Sequence, residues 1–218
     1  LQPPFDFDRR LREIDMFFQG NDPVHQTMQH VVEKLEQAGI PYAIVGAMAV
    51  NAHRYQRTTR DVDFLLSGEG LTAFVRLFGS NDFQPVPERP RRFRDPATGV
   101  TFDILVTGLF PGSGKPGPVA FPDPAAVSEV IKQKRVITLA ALIELKLAAR
   151  RYKDFGDVVE LIRIHQLDES YAVNFHSSVR GDYIECLQEM RREDEYEIRQ
   201  DRAFEEKVRG SASQDPPP

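Results

Sequence analysis

The chain has 218 residues, of which 41% are hydrophobic and 28% charged, and a formal net charge of −5. This composition is ordinary for a globular protein and excludes a basic overall field that would draw the whole chain to nucleic acid. The single cysteine, Cys186, excludes an intramolecular disulfide and argues against a zinc site built on cysteines. No apolar run approaches the ~20 residues that span a bilayer. We therefore expect a cytoplasmic protein that does not bind membranes.

Two amphipathic helices are predicted before the first strand. Residues 9–18 and 24–38 each carry apolar side chains at helical spacing. Gly39 follows the second run and is typical of a helix C-terminus.

The stretch from Tyr42 to Leu66 carries the chemistry-bearing residues of the N-terminal half. A short apolar run predicts a strand that ends at Gly46, where small residues favour a helix start that lets backbone amides approach a phosphate. The next strand carries Asp61 and Asp63, whose side chains share one face because they lie two residues apart. Adjacent carboxylates in an apolar strand repel each other, and a divalent metal is a common compensating charge. The alternative is a solvated edge strand or a turn.

This order of elements resembles the nucleotidyltransferase superfamily, the polymerase-β-like fold, in which a glycine turn and a helix precede an Asp-x-Asp strand. Gly46 matches the first glycine, and Asp61 and Asp63 match the carboxylate pair. Ala47 departs from the family's Gly or Ser, which leaves backbone amides but no hydroxyl for phosphate contact. The resemblance implies an α+β fold with a small mixed sheet flanked by helices and followed by a C-terminal helical region.

A hairpin is predicted over residues 89–106, after a helix over 71–78. Its last strand carries Asp103 among apolar and threonine residues, and in the resembled family a third carboxylate lies on the strand beside the Asp-x-Asp strand. The alternative for Asp103 is a polar residue on a half-exposed strand. The first strand of the hairpin is rich in arginine, which either protects a solvated edge or offers a basic surface to a polyanionic acceptor. These arginines are Arg89, Arg91, Arg92 and Arg94.

Residues 108–118 form a Gly/Pro-rich loop that contains Gly-x-Gly-Lys but lacks the remaining residues of a P-loop. We expect a flexible loop near the mouth of the site. A short strand over residues 136–139 is predicted to follow.

Two further helices are predicted over residues 140–150 and 153–164. If they were continuous through Lys153, then Lys146, Arg150 and Lys153 would form a basic stripe; otherwise Lys153 pairs with Asp157 on a solvated face. The pattern resembles AbiEii-like and related minimal nucleotidyltransferases. That resemblance implies that Lys146 binds the triphosphate and that Lys153 and Asp154 lie near the site.

The resemblance implies a metal-dependent nucleotidyltransferase that moves an NMP from an NTP to a hydroxyl of RNA, a small molecule or a protein, and that could be the toxin of a toxin–antitoxin pair. Asp61, Asp63 and Asp103 are then the catalytic residues and ligands of Mg²⁺ or Mn²⁺. The implied nucleotide-binding residues are Gly46, Ala47, Arg57, Lys146, Lys153 and Asp154. The expected partners are the NTP, an RNA or protein acceptor and an antitoxin. The alternative is a degenerate nucleotidyltransferase fold that binds nucleotide or protein without catalysis; the short chain argues against a glycosyltransferase.

Three regions are predicted. Residues 1–138 form the α/β core with its N-terminal helices, residues 139–204 form a helical region, and residues 205–218 form a disordered tail with too little apolar content to fold.

Overall fold

The computed structural model describes residues 6–79 and 81–212, with the side chains of 206–212 excepted. The α-helices are α1 (Phe7–Gln19), α2 (Pro23–Gln37), α3 (Gly46–Ala52), α4 (Gly68–Phe78), α5 (Pro124–Val127), α6 (Leu139–Ala149), α7 (Tyr152–His165) and α8 (Ser177–Ala212), and a 3-10 helix covers Glu169–Asn174. The strands are β1 (Tyr42–Val45), β2 (Asp61–Leu66), β3 (Gln84–Val86), β4 (Arg89–Arg94), β5 (Thr101–Val106), β6 (Ser128–Ile131) and β7 (Lys134–Ile137). In this part of the chain, no helix has the length and apolar character that a membrane span requires.

The described strands form one sheet in the order β3-β4-β5-β2-β1-β7-β6. The pairs β2–β5 and β1–β7 are parallel and the other neighbours are antiparallel, so the sheet is mixed. The predicted fold class, α+β with a small mixed sheet, flanking helices and a C-terminal helical region, is confirmed. Strand β6 was not predicted, and it forms a hairpin with β7.

Local signals explain where α2 begins and ends. The Asp22 side chain accepts hydrogen bonds from the amides of Val24 and His25, and Pro23 occupies the first turn, where its missing N–H costs nothing. Gly39 follows the helix with a positive φ of 63°. These signals therefore fix the first and last residues of α2, and the apolar face of the helix is buried on the sheet.

A cluster of phenylalanines holds the arginine-rich hairpin against the centre of the sheet. Phe93 of β4 stacks on Phe102 of β5 with ring centroids 5.6 Å apart, and Phe102 meets Phe64 of β2 edge-on at 6.1 Å. Phe74 and Phe83 complete the cluster, in which every member is at most 1% exposed. Aromatic pairs of this geometry add to the burial energy. The backbone of β4 is therefore fixed relative to β2.

The helical region contains the two separate helices that the sequence predicts after the last strand. Arg150 adopts a left-handed conformation with φ 54° and separates α6 from α7, so the basic stripe that depended on one continuous helix through Lys153 does not form. One part of the region differs from the expectation. Helix α8 continues to Ala212, whereas disorder was predicted from residue 205. Its glutamates and arginines are strong helix formers, and Arg163 of α7 pairs with Glu193 and Asp194. Residues 213–218 of the predicted tail lie outside the described residues, and the division at residue 138 stays a prediction.

Candidate active site

The parallel pairing of β2 and β5 brings three carboxylates to one place. Asp63 and Asp103 are direct neighbours in the strand register, and Asp61 lies two residues before Asp63 on the same face. Burial alternates along both strands, so that Val62 and Phe102 point into the core while the acids lie on the half-buried face. The Asp-x-Asp pair and the third acid therefore share one surface.

Gly46 gives Asp63 its space at the junction of β1 and α3. Gly46 has φ +63°, and a Cβ there would lie 2.0 Å from Oδ2 of Asp63. Any other residue would collide with the carboxylate and would be strained by the positive φ. The backbone of the glycine turn consequently packs directly on the central acid of the cluster.

Two of the three carboxyl groups have a raised pKa. Burial, followed by the charges of Asp61 and Asp103, raises the pKa of Asp63 to about 7, and Arg151 and Lys146 partly oppose the shift. Burial also raises the pKa of Asp103, against the lowering effect of Arg92. Burial is the larger cause of both shifts, and the neighbouring carboxylates add to it.

Arg92 lies between two of these acids. Its Nη2 donates a hydrogen bond to Oδ2 of Asp61 at 3.2 Å and lies 3.5 Å from Oδ2 of Asp103. Arg92 is also the cross-strand neighbour of Asp103 in the β4–β5 register. Thr59 donates a further hydrogen bond to Oδ1 of Asp61 at 3.0 Å. Asp61 thus contacts both Thr59 and Arg92, and Asp103 contacts Arg92 from the neighbouring strand.

A network of buried ion pairs from α6 and α7 forms the opposite side of the site. Nζ of Lys146, which is 6% exposed, lies 3.3 Å from Asp154 and 2.5 Å from Asp157. Arg151 also donates to Asp154, at 2.5 Å. Nε of Arg57 lies 3.0 Å from Asp157, at ion-pair distance but without hydrogen-bond geometry. Three cations surround two carboxylates, so this side carries a net positive charge.

The two sides face each other across a cavity of about 620 Å³. All the residues that the sequence predicted for the site line it: Gly46, Ala47, Arg57, Asp61, Asp63, Asp103, Lys146, Lys153 and Asp154. Residues 110–114 of the Gly/Pro-rich loop also line the cavity. Gly112 fixes this loop against the end of α6, since a Cβ there would lie 2.6 Å from the carbonyl oxygen of Ala149.

Lys146 and Lys153 have different surroundings within this cavity. Lys146 is buried in the ion-pair network, whereas Lys153 is exposed. The alternative pairing of Lys153 with Asp157 is not what the structure shows, because Asp157 is bound by Lys146 and Arg57 instead. The roles of both lysines in nucleotide binding stay predictions.

Sequence reasoning missed Arg151, the contact of Arg92 with the acids, and the hydrogen bond from Thr59 to Asp61. Arg151 lines the cavity and was not singled out, although an arginine three residues before Asp154 at a helix start is a detectable pattern. Arg92 was assigned to an edge or an acceptor surface. Its contact with Asp61 could have been found only from the register of β4 on β5 and of β5 on β2.

The acids fit a hard divalent cation by their chemistry, because Mg²⁺ and Mn²⁺ prefer carboxylate oxygens. Among the described residues, however, no group of three or more His, Cys, Asp or Glu side chains is arranged to hold a metal ion. Arg92 contributes a positive charge where Asp61 and Asp103 would share such a cation. The metal site therefore stays a prediction.

A scan against protein-family models finds no match, and a search of curated proteins finds none either. Among solved structures, JHP933 from Helicobacter pylori is 15% identical with a TM-score of 0.43, over 69% of this chain and 70% of that one. ANT(2")-Ia in complex with adenylyl-2"-tobramycin is 16% identical with a TM-score of 0.47, over 73% and 96%. An antigenic nucleotidyltransferase-like protein from Paracoccidioides brasiliensis is 16% identical with a TM-score of 0.40, over 64% and 73%. The structural neighbours thus include nucleotidyltransferase-like proteins.

Proposed function

We propose that this chain is a metal-dependent nucleotidyltransferase, which moves an NMP from an NTP to a hydroxyl acceptor. The observation that carries the proposal is the division of one cavity into an acidic end and a cationic end. Asp61, Asp63 and Asp103 lie at the acidic end, opposite the network around Lys146. Nucleotidyl transfer needs carboxylates for divalent cations and cations for the triphosphate, and this cavity offers both.

At the acidic end, Asp61, Asp63 and Asp103 would hold Mg²⁺ or Mn²⁺, which when bound supplies Lewis acidity at a phosphoryl oxygen and lowers the pKa of a coordinated hydroxyl. Gly46 leaves room for the carboxylate of Asp63, since a Cβ at this position would lie 2.0 Å from Oδ2. Thr59 orients Asp61 through its hydrogen bond to Oδ1.

At the cationic end, Arg57, Arg151 and Lys153 are suited to contact phosphate oxygens because they line the cavity and retain exposed surface. Lys146 would act through its neighbours. Its ammonium pairs with Asp154 and Asp157, which in turn position Arg151 and Arg57. We assign Lys146 and Asp154 to nucleotide binding in this supporting sense.

The acceptor is a hydroxyl of an RNA, a small molecule or a protein. A polyanionic acceptor suits the cavity wall formed by Arg89 and Arg91, which lies beside the carboxylates. The proposal includes the AbiEii-like subtype. In that case the chain would be the toxin of a toxin–antitoxin pair, and an antitoxin would bind it.

A second candidate is a degenerate nucleotidyltransferase fold that binds a nucleotide or a protein without transfer. Two observations favour it. Arg92 occupies the space between Asp61 and Asp103, and Ala47 replaces the family's Gly or Ser at a position that is 7% exposed and lines the cavity.

The test is incubation with each labelled NTP, Mg²⁺ or Mn²⁺, and total RNA or cell lysate. We expect label to move to an acceptor with the wild-type chain and not with Asp61→Asn or Asp103→Asn. The control is Asp8→Asn, which changes an exposed acid of α1. Metal-dependent NTP binding without transfer, abolished by the same substitutions, would select the degenerate fold. If transfer survives the substitution of Asp61 or of Asp103, the substituted acid is not a catalytic residue.

A further inference from the structure

Arg92 is the ion-pair partner of Asp61 and Asp103 at the acidic end of the cavity. Nη2 of Arg92 contacts Asp61 at 3.2 Å and Asp103 at 3.5 Å, and both distances lie within ion-pair range. Nε of Arg92 is buried and has no hydrogen-bond partner among the described residues. A guanidinium placed in this way occupies oxygens that a shared divalent cation would need.

The strand that carries Arg92 is fixed by packing, whereas the described residues hold its side chain only through the contacts of Nη2 with Asp61 and Asp103. Phe93, the next residue, is 1% exposed and stacks on Phe102 across the β4–β5 pair. A shift of the strand would disrupt this packing. The side chain of Arg92 is 22% exposed at the cavity and has an unpaired Nε, so rotation about its own bonds is the available way to leave the acids.

We propose that Arg92 is a positioning residue that serves as the internal counter-cation of this site and competes with the divalent cation for Asp61 and Asp103. The inference rests on the proposed function, in which these acids and Asp63 hold the cation. When the cation binds, the guanidinium turns away into the cavity, where an anionic group such as a nucleotide triphosphate can receive it. Binding of the cation and of the anion is therefore cooperative, because each favours the same position of Arg92.

The test is the affinity for Mn²⁺ alone, measured by the EPR signal of free Mn²⁺ and by titration calorimetry. We expect Arg92→Gln to bind Mn²⁺ about tenfold more tightly than the wild type, since the competing charge is gone. The matched control is Arg94→Gln, because Arg94 lies on the same strand and its guanidinium donates to the Gly99 carbonyl instead. Arg94→Gln should bind Mn²⁺ as the wild type does.

Equal or weaker Mn²⁺ binding by Arg92→Gln, with wild-type binding still abolished by Asp61→Asn, would overturn the role of Arg92 and leave the proposed function standing. No Mn²⁺ binding by any variant would overturn both.

A measurement on the wild type covers the case in which Arg92→Gln does not fold. The ¹⁵N-labelled guanidinium signals of Arg92 and Arg94 are followed by NMR during a Mg²⁺ titration. The Arg92 Nε–H signal should shift with the same midpoint as the backbone amides of Asp61 and Asp103, while the Arg94 signal stays in place. Saturation of those amides with a stationary Arg92 signal would refute the proposal.

Discussion

Replacing Lys146 with methionine should destabilise the chain strongly, because the ammonium is buried between two carboxylates. Lys146 is 6% exposed, and its partners Asp154 and Asp157 are 1% and 4% exposed. Removing one partner of a buried ion pair costs about 3–5 kcal/mol. Arg151 and Arg57 stay beside the two acids, so we expect the lower end of this range. For a chain of this length, a loss of about 3 kcal/mol lowers Tm by about 6–12 °C.

The measurement is calorimetric Tm and urea denaturation at pH 7 for Lys146→Met, with Lys153→Met as the control. Lys153 is exposed, and its replacement should change the free energy of unfolding by no more than about 0.5 kcal/mol. Adding Asp154→Asn and Asp157→Asn to Lys146→Met removes the two buried negative charges that have lost the ammonium and should recover part of the loss. If the Lys146→Met chain is as stable as the wild type, the ammonium of Lys146 does not stabilise the two buried acids.

Three further predictions concern single residues. Gly46→Ala should lower the free energy of unfolding by about 1–3 kcal/mol, since φ is +63° and the new Cβ would collide with Asp63; urea denaturation should show no such loss for Gly68→Ala, where a Cβ has nothing within 4 Å. Burial lowers the pKa of His53 below its ordinary 6.5, so the stability present above that pH is lost as the pH falls toward the folded-state pKa. In His53→Gln, the free energy of unfolding from urea melts should depend less steeply on pH between about pH 5 and 7 than in the wild type. An unchanged pH dependence would contradict this sign. Phe102→Ala should cost about 3–5 kcal/mol by the same assay, because the ring is fully buried among other aromatic rings; a loss below ~1 kcal/mol would mean that the aromatic cluster does not hold β4 and β5 in place.

The elements that position the site were predictable because their signals are local. The apolar run of Tyr42–Val45 and the glycine after it give β1 and the start of α3 with the bounds that the structure has. Strand β2 follows from the alternation of Asp61 and Asp63 with buried apolar residues. Patterns of this kind depend on neighbours within a few residues, which the sequence shows directly.

The contacts that decide the electrostatics depend on distant pairing and were not predictable. Arg92 meets Asp61 across 31 residues, through two strand registers. The sequence predicts α6 and α7 as separate helices, but the left-handed conformation of Arg150 between them has no local signal. The packing of α7 against α6 was therefore not predictable, and with it the buried pairing of Lys146 with Asp154 and Asp157.

Among the described residues, no lysine or arginine forms an ion pair with Asp63. Arg92 pairs with Asp61 and Asp103, while Arg151 and Lys146 are bound by acids on the other side. Asp63 is left with burial and two carboxylate neighbours, which together raise its pKa to about 7. The Gly46 backbone packs so closely on Asp63 that no side chain at that position could bring a charge to it. A cation that binds Asp63 would therefore have to enter through the cavity that this acid lines, and the metal-dependent chemistry proposed here places it there.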